Sequence, residues 1–314
     1  MESLPHQSAT EKHVDKQIEN WKKSPVVVAS GSTLRKNRLE EFGFQNVTAA
    51  DSIPDALETH VASILSEHDG APGTHWDKDG ARMSEFIAAA KVDYVLKHQP
   101  VEPEAMVVGF DTTAVIYDSA SLEKIMGVPR SNEKFSTWEE AQVGITEQFM
   151  SVAAGCRHLQ QKRAEFEQSL SQHDWSEEDI EMTLNGYTMG LRQGYIHINT
   201  GVAAAFAHEH TDTDPIQRWT QEIKLFSRSL YAARENPQAV EKLVELVMET
   251  LGEKVLQISG GVDYADSHVR DILQLTEKSL ADATAQEEVY KGFSEAALTV
   301  LLRMKAGEVV AAQE

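Results

Sequence analysis

Two serines and two cations crowd one short stretch near the N-terminus: Ser30, Ser32, Arg35 and Lys36, in SGSTLRK. They follow the apolar run Val26–Ala29 and precede an amphipathic segment that ends at Gly43. Hydroxyls, a glycine-bearing turn and cations at a strand-to-helix junction make an anion cradle, and phosphate is its usual occupant. The same residues also suit a capped helix with solvated cations. A second candidate is Asp111, in GFDTT within the apolar run AMVVGFDTTAVIY. A carboxylate inside such a strand needs a cation, a metal or a hydrogen-bond donor beside it. It is therefore a candidate catalytic or metal-binding group, against the plainer reading of a strand-end Asp bonded to backbone.

Further chemistry-bearing residues lie around these two. Lys91 ends the small-residue run AAAK, where a lone lysine is usually solvated. Asp51, Asp55 and Glu58, in DSIPDALE, form an acidic turn. A divalent cation beside Asp111 would need one of them as a second carboxylate. The stretch HEHTDTD at 208–214 has the composition of a metal box. Its spacing matches no familiar zinc pattern, so it reads as a loop. Gly260 and Gly261 lack the rest of a dinucleotide fingerprint, and neither a P-loop nor a nucleophile elbow is present.

These residues need elements to position them. Short β-branched or apolar runs predict strands at 26–29, 44–50, 105–117, 195–206 and 255–258. Helices are expected at 34–42, 81–98 and 138–154, with one or two exposed helices in the charged segment 156–194, starting at Asp174 or Ser176. Helical patterns dominate 213–250 and 263–305. Residues 1–23 read as a solvated tail or a loose helix, 68–80 as a loop and 125–130 as a turn. Strands separated by helices, followed by a helix-rich end, favour an α/β or α+β fold with a mixed sheet.

Bulk properties narrow the function classes. The length of 314 residues suits one large domain or two modest ones. A net charge of −21 argues against a general nucleic-acid or anionic-membrane surface, while leaving room for a small phosphorylated ligand held by a local cationic cluster. Cys156 is the single cysteine, which excludes an intramolecular disulfide and a cysteine-based zinc site. No apolar run approaches a membrane span, and the polar N-terminus lacks the core of a signal peptide. The cytoplasm is the expected compartment.

Taken in order, these segments resemble the Maf family of nucleotide pyrophosphatases. That family opens with strand-S-x-S-P-R-R-x-E-L-L, matched by Ser30, Ser32 and Arg35-Lys36. Its A-x-x-K-A helix corresponds to Ala88–Lys91, its G-A-D-T strand to Gly109–Thr112 and its G-K-P turn to Gly127–Pro129, followed by Arg130. Its E-A helix corresponds to Glu140-Ala141 and its T-G-V strand to Thr200–Val202. Leu34 stands where the first motif arginine is expected, and Val128 replaces the turn lysine.

The resemblance implies a mixed twisted sheet flanked by helices, in two lobes around a cleft. A polar extension at 1–24 would precede a domain at 25–262 carrying an insertion near 156–194. A helical segment at 263–314 would pack on the same domain. The implied activity is hydrolysis of a nucleoside triphosphate to its monophosphate and pyrophosphate, with Mg²⁺ or Mn²⁺. Ser30, Ser32, Arg35, Lys36, Lys91, Thr112 and Arg130 would hold phosphate or substrate. Asp111 would be catalytic and, with Asp55, would hold the metal, Asp51 and Glu58 competing with Asp55. Partners would be the nucleotide and a second copy joined through the exposed helices, with no nucleic-acid polymer and no membrane. The lost cations also suit a catalytically impaired nucleotide-binding or scaffold protein. A third class is an acidic helical interaction protein on an α/β core.

Overall fold

Val26–Ala29 is β-branched and flanked by polar residues, and it forms the body of β1 (Pro25–Ala29), with Val26, Val28 and Ala29 fully buried. The computed structural model describes residues 9–30, 33–54, 56–58, 60–61, 76–117, 125–126, 134–172, 175–211, 216–258, 260–264, 266–277 and 293–313. After β1, α2 (Thr33–Glu41) crosses to β2 (Asn46–Ala49), which pairs in parallel with β1. The long α3 (Trp76–His98) then leads to β3 (Met106–Tyr117), parallel to β1 on its other side. β4 (Ile125–Met126), β5 (Tyr195–Phe206), β6 (Gln217–Ser227) and β7 (Leu275–Glu277) complete a seven-stranded mixed sheet. Its order is β2-β1-β3-β5-β6-β7, with β4 paired to β3.

Alternation along β3 sends successive side chains to opposite faces of the sheet. On one face Val107 and Ala203 pack under Ala88 and Val92 of α3. The other face carries two separate helical layers. Met106, Val108 and Phe110 are covered by α1 (Ala9–Trp21) and α9 (Phe293–Gln313), through Val14, Ile18, Leu298 and Leu301. Ile116, Ile196 and Leu225 are covered by α4 (Trp138–Leu170) and α7 (Pro237–Leu251), with α6 (Arg228–Ala233) and α8 (Ser267–Leu273) beside them.

Several expectations are corrected. The N-terminal stretch is no tail: Val14, Ile18 and Trp21 recur at helical spacing and are buried in α1 against α9. Residues 217–227 form the strand β6, because Ile223 and Leu225 alternate with polar residues at period two rather than 3.6. Residues 252–256 are a 3₁₀ turn closing α7, not a strand. α3 begins at Trp76, inside the stretch read as loop, and Ile125–Met126 is a strand pair rather than part of a turn. Helix α4 runs unbroken for 33 residues, well past the expected end at 154, and its Cys156 and Leu159 are core. Thr137 caps α4 by accepting from Glu140 N. Ser176 caps α5 (Glu177–Gly190), which lies along α4 through Arg163–Glu181 (2.8 Å) and the tilted rings of Phe166 and Tyr187, whose centroids are 4.2 Å apart.

Candidate functional site

The register of β3 leaves part of one edge without a strand partner among the described residues. Its pairing with β1 ends at Ala29↔Gly109, and on that same edge β4 pairs only with Ile116 and Tyr117. Between them, residues 110–115 have no strand partner on that edge among the described residues. Backbone groups on an unpaired edge need other partners. Arg35, in the first turn of α2, supplies one by donating from Nη1 to the Phe110 carbonyl at 2.8 Å, and it also donates to Ser30 Oγ at 3.2 Å. Burial lowers the Arg35 pKa, while the negative charges of Asp111 and Glu58 act in the opposite direction. A guanidinium stays protonated under such opposed influences.

Lys91 arrives from the α3 face. Two glycines permit its approach. A Cβ on Gly109 would lie 2.3 Å from the Ala88 carbonyl oxygen, and one on Gly201 would lie 2.2 Å from the Ser84 carbonyl carbon. Glycine at both positions lets α3 lie directly on the backbones of β3 and β5. That close approach sets Lys91 Nζ 2.9 Å from Asp111 Oδ1 and 2.6 Å from Glu58 Oε1. Lys91 and Asp111 are 6% and 7% exposed, so each charge depends on the other.

Thus Ser30, Arg35, Lys91, Asp111 and Glu58, drawn from four separate segments, meet at one stretch of sheet edge. Lys36 does not join them; it pairs along its own helix with Glu40 at 3.2 Å. Thr112 is exposed, and alternation turns it to the face opposite Asp111. Asp51 exchanges backbone hydrogen bonds with the Gln99 carboxamide, away from the cluster. Asp55, Ser32 and Arg130, like Gly127, Val128 and Pro129, lie outside the described residues. Leu34 opens the helix beside Arg35, and its side chain is likewise outside the description.

Glu58 was only one of three acidic alternatives in the sequence; DALE carries no mark that selects it over Asp55. A second polar group was missed altogether because β6 was read as helix. His197 Nδ1 lies 2.7 Å from Glu222 Oε1, and its Nε2 lies 3.1 Å from the Arg192 carbonyl. Arg192 donates to the Tyr117 hydroxyl at 3.0 Å. The His197 hydrogen bond lowers the Glu222 pKa. The alternating polar residues of QRWTQEIKLFS are the signal that could have placed Glu222 on a strand.

No group of three or more histidines, cysteines or acids is arranged to hold a metal among the described residues. Two carboxylates sharing one ammonium are nevertheless a hard-oxygen donor pair of the kind Mg²⁺ takes, together with water and phosphate oxygens. Compared with models of known protein families and with curated proteins, the chain matches none.

Proposed function

We propose that the chain is a nucleoside triphosphate pyrophosphatase, cleaving its substrate to a monophosphate and pyrophosphate. The observation that carries this reading is the convergence of Ser30, Arg35, Lys91 and Asp111 on one sheet edge. Arg35 and Lys91 would take phosphate oxygens, and Ser30 would donate to another. Water would attack the α-phosphorus; a new P–O bond forms, the bond to the bridging oxygen breaks, and pyrophosphate leaves. Asp111 would accept the water's proton at Oδ2. Charge developing on the leaving group is what fixed cations stabilise most in a site of this kind.

Within the cluster the charges of Arg35 and Lys91 already balance those of Asp111 and Glu58. A polyphosphate therefore adds uncompensated negative charge, and a divalent cation held by Asp111 and Glu58 would offset it and polarise the phosphate. Asp55 remains the alternative second ligand proposed from sequence. A nucleotide binder without turnover is the second reading. It is favoured by Lys36 pairing with Glu40, which leaves Arg35 as the junction's engaged cation among the described residues.

Both readings meet one assay. Purified protein is incubated with canonical and modified nucleoside triphosphates plus Mg²⁺ or Mn²⁺, and pyrophosphate is measured against Asp111→Asn. Turnover of at least one nucleotide, lost in the variant, is expected. Binding without turnover would select the second reading. No binding and no turnover would sink both.

A further inference from the structure

Two tasks fall on Lys91 that one ammonium cannot perform at once. Its Nζ lies 2.9 Å from Asp111 Oδ1 and 2.6 Å from Glu58 Oε1, so it fills the space between the two carboxylates. The proposed chemistry sends Lys91 to a phosphate oxygen and gives the same two carboxylates to a divalent cation. Mg²⁺ binds oxygen at about 2.0–2.1 Å. A cation shared by those two oxygens would occupy the place where Nζ lies, and like charges at that range repel strongly.

Arg35 has no such conflict. Its guanidinium donates to the Phe110 carbonyl and to Ser30 Oγ, both neutral acceptors, and so leaves the carboxylates to Lys91. The lysine is also the side chain able to move, with a flexible stem and three rotatable donors. Its two partners differ in access: the Glu58 side chain is 31% exposed and that of Asp111 10%. Solvent, and any ion in it, therefore meets the pair from the Glu58 side. A divalent charge added to the balanced cluster leaves an excess of positive charge, which a polyphosphate compensates.

We propose that Lys91 is an exchangeable occupant of the cation site: its ammonium bridges Asp111 and Glu58, then passes to a phosphate oxygen of the arriving nucleotide and yields the two carboxylates to a divalent cation. The proposal rests on the pyrophosphatase reading and adds how that site is regulated. Nucleotide and divalent cation then bind with positive linkage, because both draw Lys91 out of the same ion pairs. The carboxylates stay neutralised throughout, first by Lys91 and then by the incoming ion.

Calorimetric titration of chelator-treated protein with Mn²⁺, in the absence of nucleotide, tests this. Lys91→Met is expected to bind Mn²⁺ about tenfold or more tightly than the wild type, since the competing charge is gone. Adding Asp111→Asn is expected to abolish that gain, which assigns it to this pair of carboxylates rather than to the acidic surface. Thermal melting checks that each variant is folded, and Mn²⁺ should raise the midpoint of Lys91→Met more than that of the wild type. The wild type supplies a test that needs no variant: the heteronuclear NMR signal of the Lys91 ammonium is expected to shift or broaden as Mg²⁺ is titrated. Equal or weaker Mn²⁺ binding by folded Lys91→Met, or an ammonium signal unmoved by saturating Mg²⁺, would overturn the exchange, and nucleotide turnover measured alongside would leave the pyrophosphatase reading standing. Absence of both nucleotide binding and turnover defeats that reading, and the exchange with it.

Discussion

Lys91 lies between two carboxylates, those of Asp111 and Glu58. It neutralises two carboxylates at once, and both it and Asp111 are almost wholly out of water. Lys91→Met keeps much of the side-chain volume and removes the charge. Removing one member of a buried ion pair costs about 3–5 kcal/mol, because the partner is left uncompensated. Urea denaturation of Lys91→Met is expected to show a loss of that size. Adding Asp111→Asn should return part of it, since the double variant no longer strands that charge. A single variant within about 0.5 kcal/mol of wild type would mean that the ammonium does not hold the carboxylates together. Cys156 is the opposite case: burial pushes its thiol up to about 12, so it stays protonated and unreactive near neutral pH.

At the scale of elements, the contact of α3 with the sheet decides where Lys91 lies. Gly109 and Gly201 are the two points where that contact is backbone against backbone. Gly109→Ala would drive a methyl into the Ala88 carbonyl and Val92. Overpacking of this kind costs about 1–3 kcal/mol or more and is relieved by shifting the helix. Both thermal stability and pyrophosphate release are therefore expected to fall. Gly186→Ala in α5 is the control, since its Cβ would meet nothing within 4 Å and alanine is the better helix former. If Gly109→Ala behaved like Gly186→Ala, α3 would not be seated on β3 as described. The same element shows why much of the site was legible. Apolar runs around GFDTT and AAAK mark a strand and a helix, and charge pairing selects which polar groups meet. Nothing local indicates that two glycines set the distance between them.

Across the whole molecule, the chain's two ends meet. α1 and α9 pack on each other, Asp15 pairs with Arg303 at 2.9 Å, and both helices cover the N-terminal half of β3 and the C-terminal half of β5. Val14, Ile18 and Trp21 are each less than a tenth exposed. Burying a large apolar side chain contributes about 1.5–3 kcal/mol, and total domain stability is about 5–15 kcal/mol. Deleting residues 1–23 should therefore remove a large share of the stability. A markedly lower urea midpoint or aggregation is expected; an unchanged midpoint would restore the solvated-tail reading. The charge of −21 is a molecular property as well, and it makes the local pair of Arg35 and Lys91 more conspicuous.

The amino-acid sequence by itself indicated the strands at 26–29, 105–117 and 195–206 and the mixed α/β character, and it named Ser30, Arg35, Lys91 and Asp111 among its candidate residues. β-branched runs and a charge inside an apolar strand are local signals, readable without neighbours. Only the tertiary structure decided that β6 is a strand, that α1 is core and that Glu58 partners Lys91. Each of those depends on what lies across the sheet. Ile223 and Leu225 are half of a pattern completed by β5 and α4, and α1 is buried only because α9 returns to cover it. The meeting of these residues on the edge of β3 is likewise invisible in any single segment. Among the described residues β1 pairs with β3 as far as Gly109 and β4 pairs with Ile116 and Tyr117, and between them Arg35 reaches the Phe110 carbonyl and Lys91 reaches Asp111.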